Sequence, residues 1–335
     1  MKIAILDDYQ DAVRKLDCFA LLDGHEVKVY NQIVRGVGQL AARLAETEAL
    51  VLIRERTRLP ATLLEKLPRL KVICQTGRAG SHVDVDACTR LGIAVLDGTG
   101  SPTAPAELTW ALVLAAQRRI PQYVANLKQG AWQQSGLKAA AMPPNFGIGR
   151  VLRGSTLGIW GYGKIGRLVA GYGAAFGMRV LIWGSEASRR QAEADGYAAA
   201  PDKQSFFANS DVVSVHLRLN DATRGIVTRE DLGTMKPDAL FVNTSRAELV
   251  EDNALVAAVS AGQPGMVAVD VFETEPILQG HSLLRMENVI CTPHIGYVEQ
   301  QTYEQYFGTA FAQLNGFIAG GREGLVNPAA LDVRR

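Results

Sequence analysis

The length, composition and charge of the chain indicate a folded, water-soluble protein with about two domains. It has 335 residues, of which 47% are hydrophobic and 21% are charged, and these fractions exclude long disordered, collagen-like and coiled-coil chains. Lysine and arginine total 35 against 34 acidic residues, so no excess of positive charge favours a nucleic-acid partner.

The cysteines and the apolar run at the amino terminus indicate the cellular compartment of the protein. Cys18, Cys74, Cys88 and Cys291 lie far apart, without a CxxC or Cys/His cluster, which argues against a disulfide framework and against a metal site. The apolar run from Lys2 to Leu6 is much shorter than a signal core or a membrane-spanning helix. We therefore expect a cytoplasmic protein with neither a metal nor a membrane partner.

Short apolar runs in the first part of the chain predict one parallel sheet. They are Lys2 to Leu6, Glu26 to Tyr30, Ala49 to Ile53, Lys71 to Cys74 and Ile93 to Leu96. Runs of this length that alternate with helical segments such as Thr62 to Leu67 are typical of a doubly wound α/β sheet. After a break at residues 98–102, a helix is predicted from Ala104 to Ile120, ended by Pro121.

A second α/β series follows, which places two doubly wound modules in tandem. Before it, the glycine and proline residues between Gly130 and Gly154 predict a loop. The strands of the second series are Thr156 to Trp160, Arg179 to Trp183, Asp211 to Val215, Ala239 to Asn243, Met266 to Asp270 and Val289 to Cys291. The last long segment, Val298 to Ile318, has helical spacing with one broad apolar face.

A glycine-rich motif follows directly on the strand that ends at Trp160. Its residues, all predicted to bind a cofactor, are Gly161, Tyr162, Gly163, Lys164, Ile165 and Gly166, a GxGxxG that opens a helix. Gly161 permits the tight turn, Gly163 lets the backbone approach a pyrophosphate, and Gly166 allows close contact between helix and strand. In this strand-to-helix context the motif predicts a dinucleotide site.

The end of the next strand leaves NAD and NADP both open, with NAD favoured. Trp183 is followed by Gly184-Ser185-Glu186, without a carboxylate at the strand end, where it would bind the ribose hydroxyls. Either Glu186 reaches the ribose from further along, or Ser185 and Arg189 hold the 2′-phosphate of NADP.

Polar segments follow three strands of the second series, at the edge where an open α/β sheet binds its ligand. They are Asn243 to Arg246, Asp270 to Pro276 and Thr292 to Gly296, and together they supply a cation, an acid and an imidazole. If the segments converge, they provide what reduction of a 2-keto acid needs. These needs are a positive charge for the carboxylate, a proton donor for the carbonyl oxygen, and a carboxylate that orients the donor.

Taken in order, these four motifs resemble those of the D-isomer-specific 2-hydroxyacid dehydrogenase family. The resemblance covers nearly the whole chain and implies an NAD(P)-dependent oxidoreductase that interconverts a small 2-keto acid and its D-2-hydroxy acid. It implies that Arg246 holds the substrate carboxylate and carbonyl, that His294 passes a proton to or from the substrate oxygen, and that Glu275 steadies the imidazole. The further cofactor contacts that it implies are His216, Thr244, Ser245, Gly296 and Asp270, the last at the carboxamide.

The same likeness implies substrate contacts from Arg78, Ala79 and Gly80, in a glycine-rich loop of the first module whose N–H groups would bind the carboxylate. Three segments depart from the usual pattern, and one is this loop, which has Gly77 to His82 where many relatives have a glycine-valine-glycine run leading to an acid and an asparagine. Asp97 to Pro102 replaces the common Asn-Thr-Pro, and Arg246-Ala247 replaces an Arg-Gly pair. Because these changes touch substrate contacts, the resemblance does not name the keto acid.

The likeness also implies two doubly wound, Rossmann-like or flavodoxin-like parallel-sheet domains with the site in the cleft between them. Residues 1–100 plus 298–335 would form a discontinuous substrate domain, and residues 101–297 the cofactor domain. A homodimer through the cofactor domain is implied, with Ala104 to Ala116, Trp110 and Trp132 as candidate contacts. Two alternatives stay open: a nicotinamide-sensing, corepressor-like binding protein on the same scaffold, and a Rossmann-like methyltransferase that uses S-adenosylmethionine.

Overall fold

The strands lie where the apolar runs predict them, because side chains that are apolar on both faces favour a parallel sheet covered by helices. The computed structural model describes residues 1–137 and 142–333. The strands are β1 (Lys2–Ile5), β2 (Glu26–Val29), β3 (Ala49–Leu52), β4 (Val72–Gln75), β5 (Ala94–Asp97), β6 (Thr156–Trp160), β7 (Arg179–Trp183), β8 (Ala198–Ala199), β9 (Val212–Val215), β10 (Leu240–Asn243), β11 (Met266–Val269) and β12 (Val289–Cys291). Apart from the very short β8, each was predicted to within one residue at either end. Residues 138–141 of the predicted loop, and residues 334 and 335 of the predicted substrate domain, lie outside the described residues.

Helices alternate with these strands along the chain. They are α1 (Val37–Leu44), α2 (Ala61–Leu64), α3 (Val85–Arg90), α4 (Thr103–Gln117), α5 (Ile120–Lys128), α6 (Lys164–Ala175), α7 (Glu186–Ala194), α8 (Lys203–Asn209), α9 (Arg229–Gly233), α10 (Ala254–Ser260) and α11 (Gln300–Ile318). Of those described, none is long and apolar enough to cross a membrane. The helix predicted from Thr62 to Leu67 is only the single turn α2.

The prediction of one helix from Ala104 to Ile120 is wrong at its carboxyl end. Helix α4 stops at Gln117, and Arg119 takes a left-handed φ of 56° before α5 begins. The buried Arg119 guanidinium donates to the carbonyl oxygens of Ala116 at 2.6 Å and of Phe146 at 3.0 Å, which fixes the break. Pro121 therefore lies in the first turn of α5, where a proline loses no helical hydrogen bond.

The chain divides into two compact units, the first of which is Met1–Ser101 with the described residues from Val298 onward. Its sheet is parallel throughout, in the order β2-β1-β3-β4-β5. The apolar face of α11 is buried in this unit through Tyr303, Phe307 and Phe311. That burial accounts for the broad apolar stripe of the last segment. The assignment of this unit to substrate binding stays a prediction.

The second unit, Pro102–Tyr297, contains a parallel sheet in the order β12-β11-β10-β9-β6-β7-β8. Side chains of α4 and α6 pack in the core on one face of this sheet, and those of α8, α9 and α10 in the core on the other. From β6 the chain adds β7 and β8 on one side and then returns to add β9 to β12 on the other. Open α/β sheets bind ligands beyond the carboxyl ends of the strands at such a switch point. The two helix-covered parallel sheets confirm the predicted fold class.

Candidate functional site

The GxGxxG motif, residues 161–166, forms a phosphate loop that joins β6 to α6 at the switch point of the second sheet. Gly161 takes a φ of 104°, and a Cβ there would lie 2.4 Å from the carbonyl oxygen of His216. A Cβ on Gly166 would lie 2.1 Å from the carbonyl oxygen of Gly161. Both positions therefore exclude a side chain, one for the turn and the other for the close approach of helix and strand.

Gly163 differs from these two glycines because the protein leaves open space around it. No described atom lies within 4 Å of a Cβ placed there, and the residue is exposed. It precedes the first turn of α6, whose N–H groups receive no side-chain cap within the described parts of the chain. Open space beside uncapped helical N–H groups suits an anion such as a pyrophosphate, so the loop fits a dinucleotide.

The Gly163→Ala variant tests whether the glycine is needed for ligand binding rather than for folding. We expect the free energy of unfolding to change by no more than about 1 kcal/mol, because the added methyl group meets no protein atom. The Kd for NAD⁺ should rise about 10-fold or more, because the methyl group occupies the space needed for pyrophosphate hydrogen bonds. Urea unfolding and titration calorimetry measure the two effects. Gly171→Ala, in equally open surroundings on α6, should leave the Kd unchanged, and equal affinities of the two variants would argue against a pyrophosphate site.

Two intervening residues of the motif, Tyr162 and Ile165, contact the protein rather than the open space. The Tyr162 hydroxyl donates to Asp195 Oδ2 at 2.8 Å, and burial together with this carboxylate raises the pKa of Tyr162. Ile165 packs against the core, and Lys164 is exposed. Cofactor contacts predicted for Tyr162 and Ile165 would therefore come from their backbone.

The two predicted modes of ribose binding at the end of β7 use different residues, Ser185 in one and Glu186 in the other. Ser185 caps α7, since its hydroxyl accepts from the Ser188 N–H at 3.3 Å. Glu186 pairs with Arg190 one turn further on, and both side chains are largely exposed. The carboxylate that would reach the ribose therefore already has a cationic partner.

His216 follows β9 on the other side of the switch point. Its Nε2 lies 2.9 Å from Ser214 Oγ, and its Nδ1 is buried without a hydrogen-bond partner in residues 1–137 and 142–333. Burial lowers the pKa of the imidazole to about 4, so the ring is neutral near pH 7. A buried ring nitrogen without a protein partner suits a contact with a ligand, as predicted for this residue.

The folded state should become less stable as the pH falls, because the imidazole of His216 resists protonation. Its pKa of about 4 in the folded state lies below the unfolded value of about 6.5, so the unfolded state takes up the proton first. Stability present above pH 6.5 is therefore lost as the pH falls towards 4, by about 1–2 kcal/mol at pH 5. Urea unfolding near pH 7 and pH 5 should show less pH dependence for His216→Gln than for the wild type. An equal loss in both proteins would refute this origin of the pH dependence.

The segment after β10 is fixed by Asn243, whose Oδ1 accepts from the Ser245 N–H at 3.0 Å and whose Nδ2 donates to the Arg246 carbonyl oxygen at 2.8 Å. The Ser245 hydroxyl donates to the backbone of β9 at 2.8 Å. Thr244 Oγ1 lies 2.7 Å from Thr109 Oγ1 on α4. The Arg246 guanidinium donates to the Ser245 carbonyl oxygen at 2.6 Å. This turn therefore places Arg246 at the carboxyl edge of the sheet.

Glu275 and His294, which follow the neighbouring strands β11 and β12, are in direct contact. His294 Nδ1 lies 2.6 Å from Glu275 Oε2, and Glu275 Oε1 accepts from the Phe272 N–H at 3.0 Å. Both carboxylate oxygens are thus held, and because a carboxylate accepts, the contact suits a proton on Nδ1. Nε2 has no hydrogen-bond partner among the described residues, which suits a group that exchanges a proton with a substrate.

Asp270, at the end of β11, holds the loop that carries His294. It accepts from the Thr292 hydroxyl at 2.6 Å and from the N–H groups of Ile295 and Gly296, both at 2.9 Å. Burial raises the pKa of Asp270, against the effect of the hydrogen bonds from Thr292 and Ile295. His294, which lies between Thr292 and Ile295 in the loop, takes a left-handed φ of 51°. The sequence predicts Asp270 as a carboxamide contact and does not reveal this support of the histidine loop.

The predicted substrate contacts Arg78, Ala79 and Gly80 lie in the first unit, on the loop after β4. Arg78 is exposed, and the other two are partly exposed. The Ala79 N–H donates to Asp97 Oδ1 at 2.6 Å, so this N–H, predicted to bind the substrate, already has a protein partner. Asp97 begins the segment that departs from the usual family pattern.

Arg54 is a candidate site residue that was not predicted from the sequence. It follows β3 with a φ of 51°, and its guanidinium lies 5.6 Å from the centroid of the Tyr306 ring. A Cβ on Gly77 would lie 1.9 Å from Arg54 Nη1, so this glycine makes room for a cation beside the loop that carries Arg78. In the sequence, Arg54 follows one strand and Gly77 follows the next. These two residues can be recognised as neighbours only when the pairing of β3 with β4 is known.

No group of three or more side chains that could hold a metal ion lies in the described part of the chain.

Comparison with known proteins adds independent observations. The sequence model of the family described as "D-isomer specific 2-hydroxyacid dehydrogenase, NAD binding domain" matches residues 110–296. Among curated proteins, a glyoxylate reductase from Aeropyrum pernix is 36% identical over 298 residues, which cover 88% of each chain.

Solved structures are similar over both units. An oxidoreductase from Ralstonia solanacearum, provisionally described as a D-3-phosphoglycerate dehydrogenase, has a TM-score of 0.98 and 68% identity over 98% of each chain. A phosphoglycerate oxidoreductase from Vibrio cholerae o395 has a TM-score of 0.91 and 55% identity, over 96% of this chain and 100% of that one.

Proposed function

The chain belongs to the D-isomer specific 2-hydroxyacid dehydrogenase family, and we propose that Arg246, Glu275 and His294 carry out its reaction. That reaction is the nicotinamide-dependent interconversion of a small 2-keto acid and its D-2-hydroxy acid, as predicted. The observation that carries the proposed roles is the contact between Glu275 and His294. These residues follow β11 and β12, next in the sheet to β10, which Arg246 follows.

In this proposal each side chain has one task. The bound nicotinamide supplies or takes up the hydride. Arg246 binds the substrate carboxylate and carbonyl oxygen, because its planar guanidinium can donate two parallel hydrogen bonds. His294 donates a proton from Nε2 to the carbonyl oxygen during reduction and accepts it from the hydroxyl during oxidation. Glu275 holds Nδ1 and so fixes the orientation of the imidazole.

The two alternatives from the sequence gain no support from the relatives. The similar proteins named above are all described as oxidoreductases or reductases. A corepressor-like binding protein would not need an imidazole held by a carboxylate. A methyltransferase likewise has no use for this pair beside a strand-end arginine.

We also propose a homodimer formed through the second unit. Helix α5 and the residues after it expose large apolar side chains, with Ile120 at 48%, Val124 at 46%, Leu127 at 54% and Trp132 at 73%. Such a cluster on a soluble protein favours a contact surface. Trp110, also predicted as a contact, is 8% exposed and packs in the core. Sedimentation velocity should give a dimer for the wild type and a larger monomer fraction for Trp132→Glu.

A cytoplasmic location is part of the proposal. The cysteines Cys18, Cys74, Cys88 and Cys291 are free thiols, as is usual in a reducing compartment. Fractionation of the native source with compartment markers measures the location.

A steady-state assay tests the proposed function. Loss of the reduced-nicotinamide absorbance is followed with NADH or NADPH against glyoxylate, hydroxypyruvate, pyruvate and longer 2-keto acids. Because two of the relatives are described as phosphoglycerate enzymes, 3-phosphoglycerate is also tested, with NAD⁺ or NADP⁺ in the oxidative direction. We expect turnover of at least one of these acids. A protein that binds the dinucleotide but turns over none of them would not support the proposal.

A further inference from the structure

The end of β7 is the place in the second sheet where the adenosine ribose of a dinucleotide is recognised. Resting on the proposed dehydrogenase function, we propose that this chain binds NADP(H) as well as NAD(H), and that Arg189 holds the 2′-phosphate. Three features of the strand end support this specificity: its position beside the phosphate loop, the lack of a carboxylate between β7 and α7, and the environment of Arg189.

The strand end adjoins the phosphate loop. The Gly161 N–H donates to the Trp183 carbonyl oxygen at 3.0 Å, and a Cβ on Gly184 would lie 3.8 Å from Gly161 N. Helix α7 begins only two residues later, at Glu186. A ribose attached to a pyrophosphate at Gly163 therefore lies near the first turn of α7.

No carboxylate stands between β7 and α7, in a segment that is described throughout. A carboxylate at the strand end would bind both ribose hydroxyls and repel a 2′-phosphate. The acid in the first turn, Glu186, pairs with Arg190 on the exposed surface of the helix. The strand end thus lacks the group that normally excludes NADP.

Arg189 is held in place without an acidic partner among the residues that the structure describes. Its guanidinium lies 5.0 Å from the ring centroid of Trp183, and stacking on an indole orders a cation before an anion arrives. Its Nε is buried and has no hydrogen-bond partner in the described chain. The Ser185 hydroxyl donates to Ser188 Oγ at 3.1 Å, which leaves the Ser188 hydroxyl, just before Arg189, able to donate to a phosphate. A cation, a hydroxyl donor and an unsatisfied buried donor together suit a phosphate monoester.

Titration calorimetry with NAD⁺ and NADP⁺ tests the inference without measuring activity. For the wild type we expect the two Kd values to agree within about tenfold. Arg189→Ala should weaken NADP⁺ binding about 10- to 100-fold, the loss of charge-assisted hydrogen bonds to one phosphate. Binding of NAD⁺ should change less than about fivefold, which also shows that the variant is folded.

Arg190→Ala is the matched control, because it removes a neighbouring arginine that is 72% exposed and already paired. It should change neither Kd by more than about fivefold. If NAD⁺ binds but NADP⁺ binds more than about tenfold more weakly, or if the two arginine variants behave alike, this inference is wrong and the dehydrogenase proposal stands. If neither dinucleotide binds, both are wrong.

Discussion

Replacement of His294 by alanine should lower kcat about 100- to 10,000-fold, the range that a positioned proton donor contributes. The imidazole is fixed through the 2.6 Å contact of Nδ1 with Glu275, and alanine removes the group that exchanges the proton with the substrate oxygen. The Kd for NAD⁺ should change less than about fivefold, because loss of the proton donor leaves the phosphate loop intact. Stopped-flow or steady-state assays give kcat, and calorimetry gives the Kd.

His281 provides a matched control for this variant. It lies in the same unit and also approaches a glutamate, with its Nε2 3.6 Å from Glu273 Oε2. It does not follow the end of a strand, so His281→Ala should lower kcat less than about fivefold. A His294→Ala enzyme with near-native kcat, or equal losses in the two variants, would remove His294 from the proposed mechanism.

Arg246→Ala should lower kcat/KM about 100- to 10,000-fold, because it removes two charge-assisted hydrogen bonds to the substrate. Arg246→Lys should recover only part of the loss, since an ammonium keeps the charge but lacks the planar pair of donors. The NAD⁺ affinity monitors folding, because the Arg246 backbone belongs to the turn fixed by Asn243.

Arg229→Ala is the control for Arg246. Arg229 is exposed at the start of α9, so its loss should change kcat/KM less than about fivefold. Full recovery of activity in Arg246→Lys would show that charge alone suffices and would exclude the two-donor role.

The sequence predicts the features that depend on local pattern. Each main strand is a short apolar run bounded by turn residues, and GxGxxG follows a strand directly, so periodicity and spacing are sufficient. The convergence of the segments that carry Arg246, Glu275 and His294 was predicted because parallel strands bring the segments after their carboxyl ends to one edge of the sheet. The roles of the three residues came from the family resemblance and stay a prediction. The structure adds the contact between Glu275 and His294.

Features that depend on contacts distant in sequence were not predicted. The break between α4 and α5 depends on Arg119 donating to the Phe146 carbonyl oxygen, 27 residues further on. The role of Asp270 in holding the His294 loop depends on the pairing of β11 with β12. Arg54 beside Gly77 likewise depends on the pairing of β3 with β4. Local patterns do not encode these partners, because each is chosen by tertiary packing.

The central claim is that a hydride passes to C2 of a 2-keto acid bound by Arg246 while His294 supplies the proton. It is tested most directly by reduction of the best keto acid whose product has a stereocentre at C2, with NADH that carries deuterium at both C4 positions, in ordinary water, followed by mass spectrometry and chiral separation of the product. We predict one deuterium at C2 and the D configuration. A product without deuterium at C2, or one of L configuration, would contradict the claim.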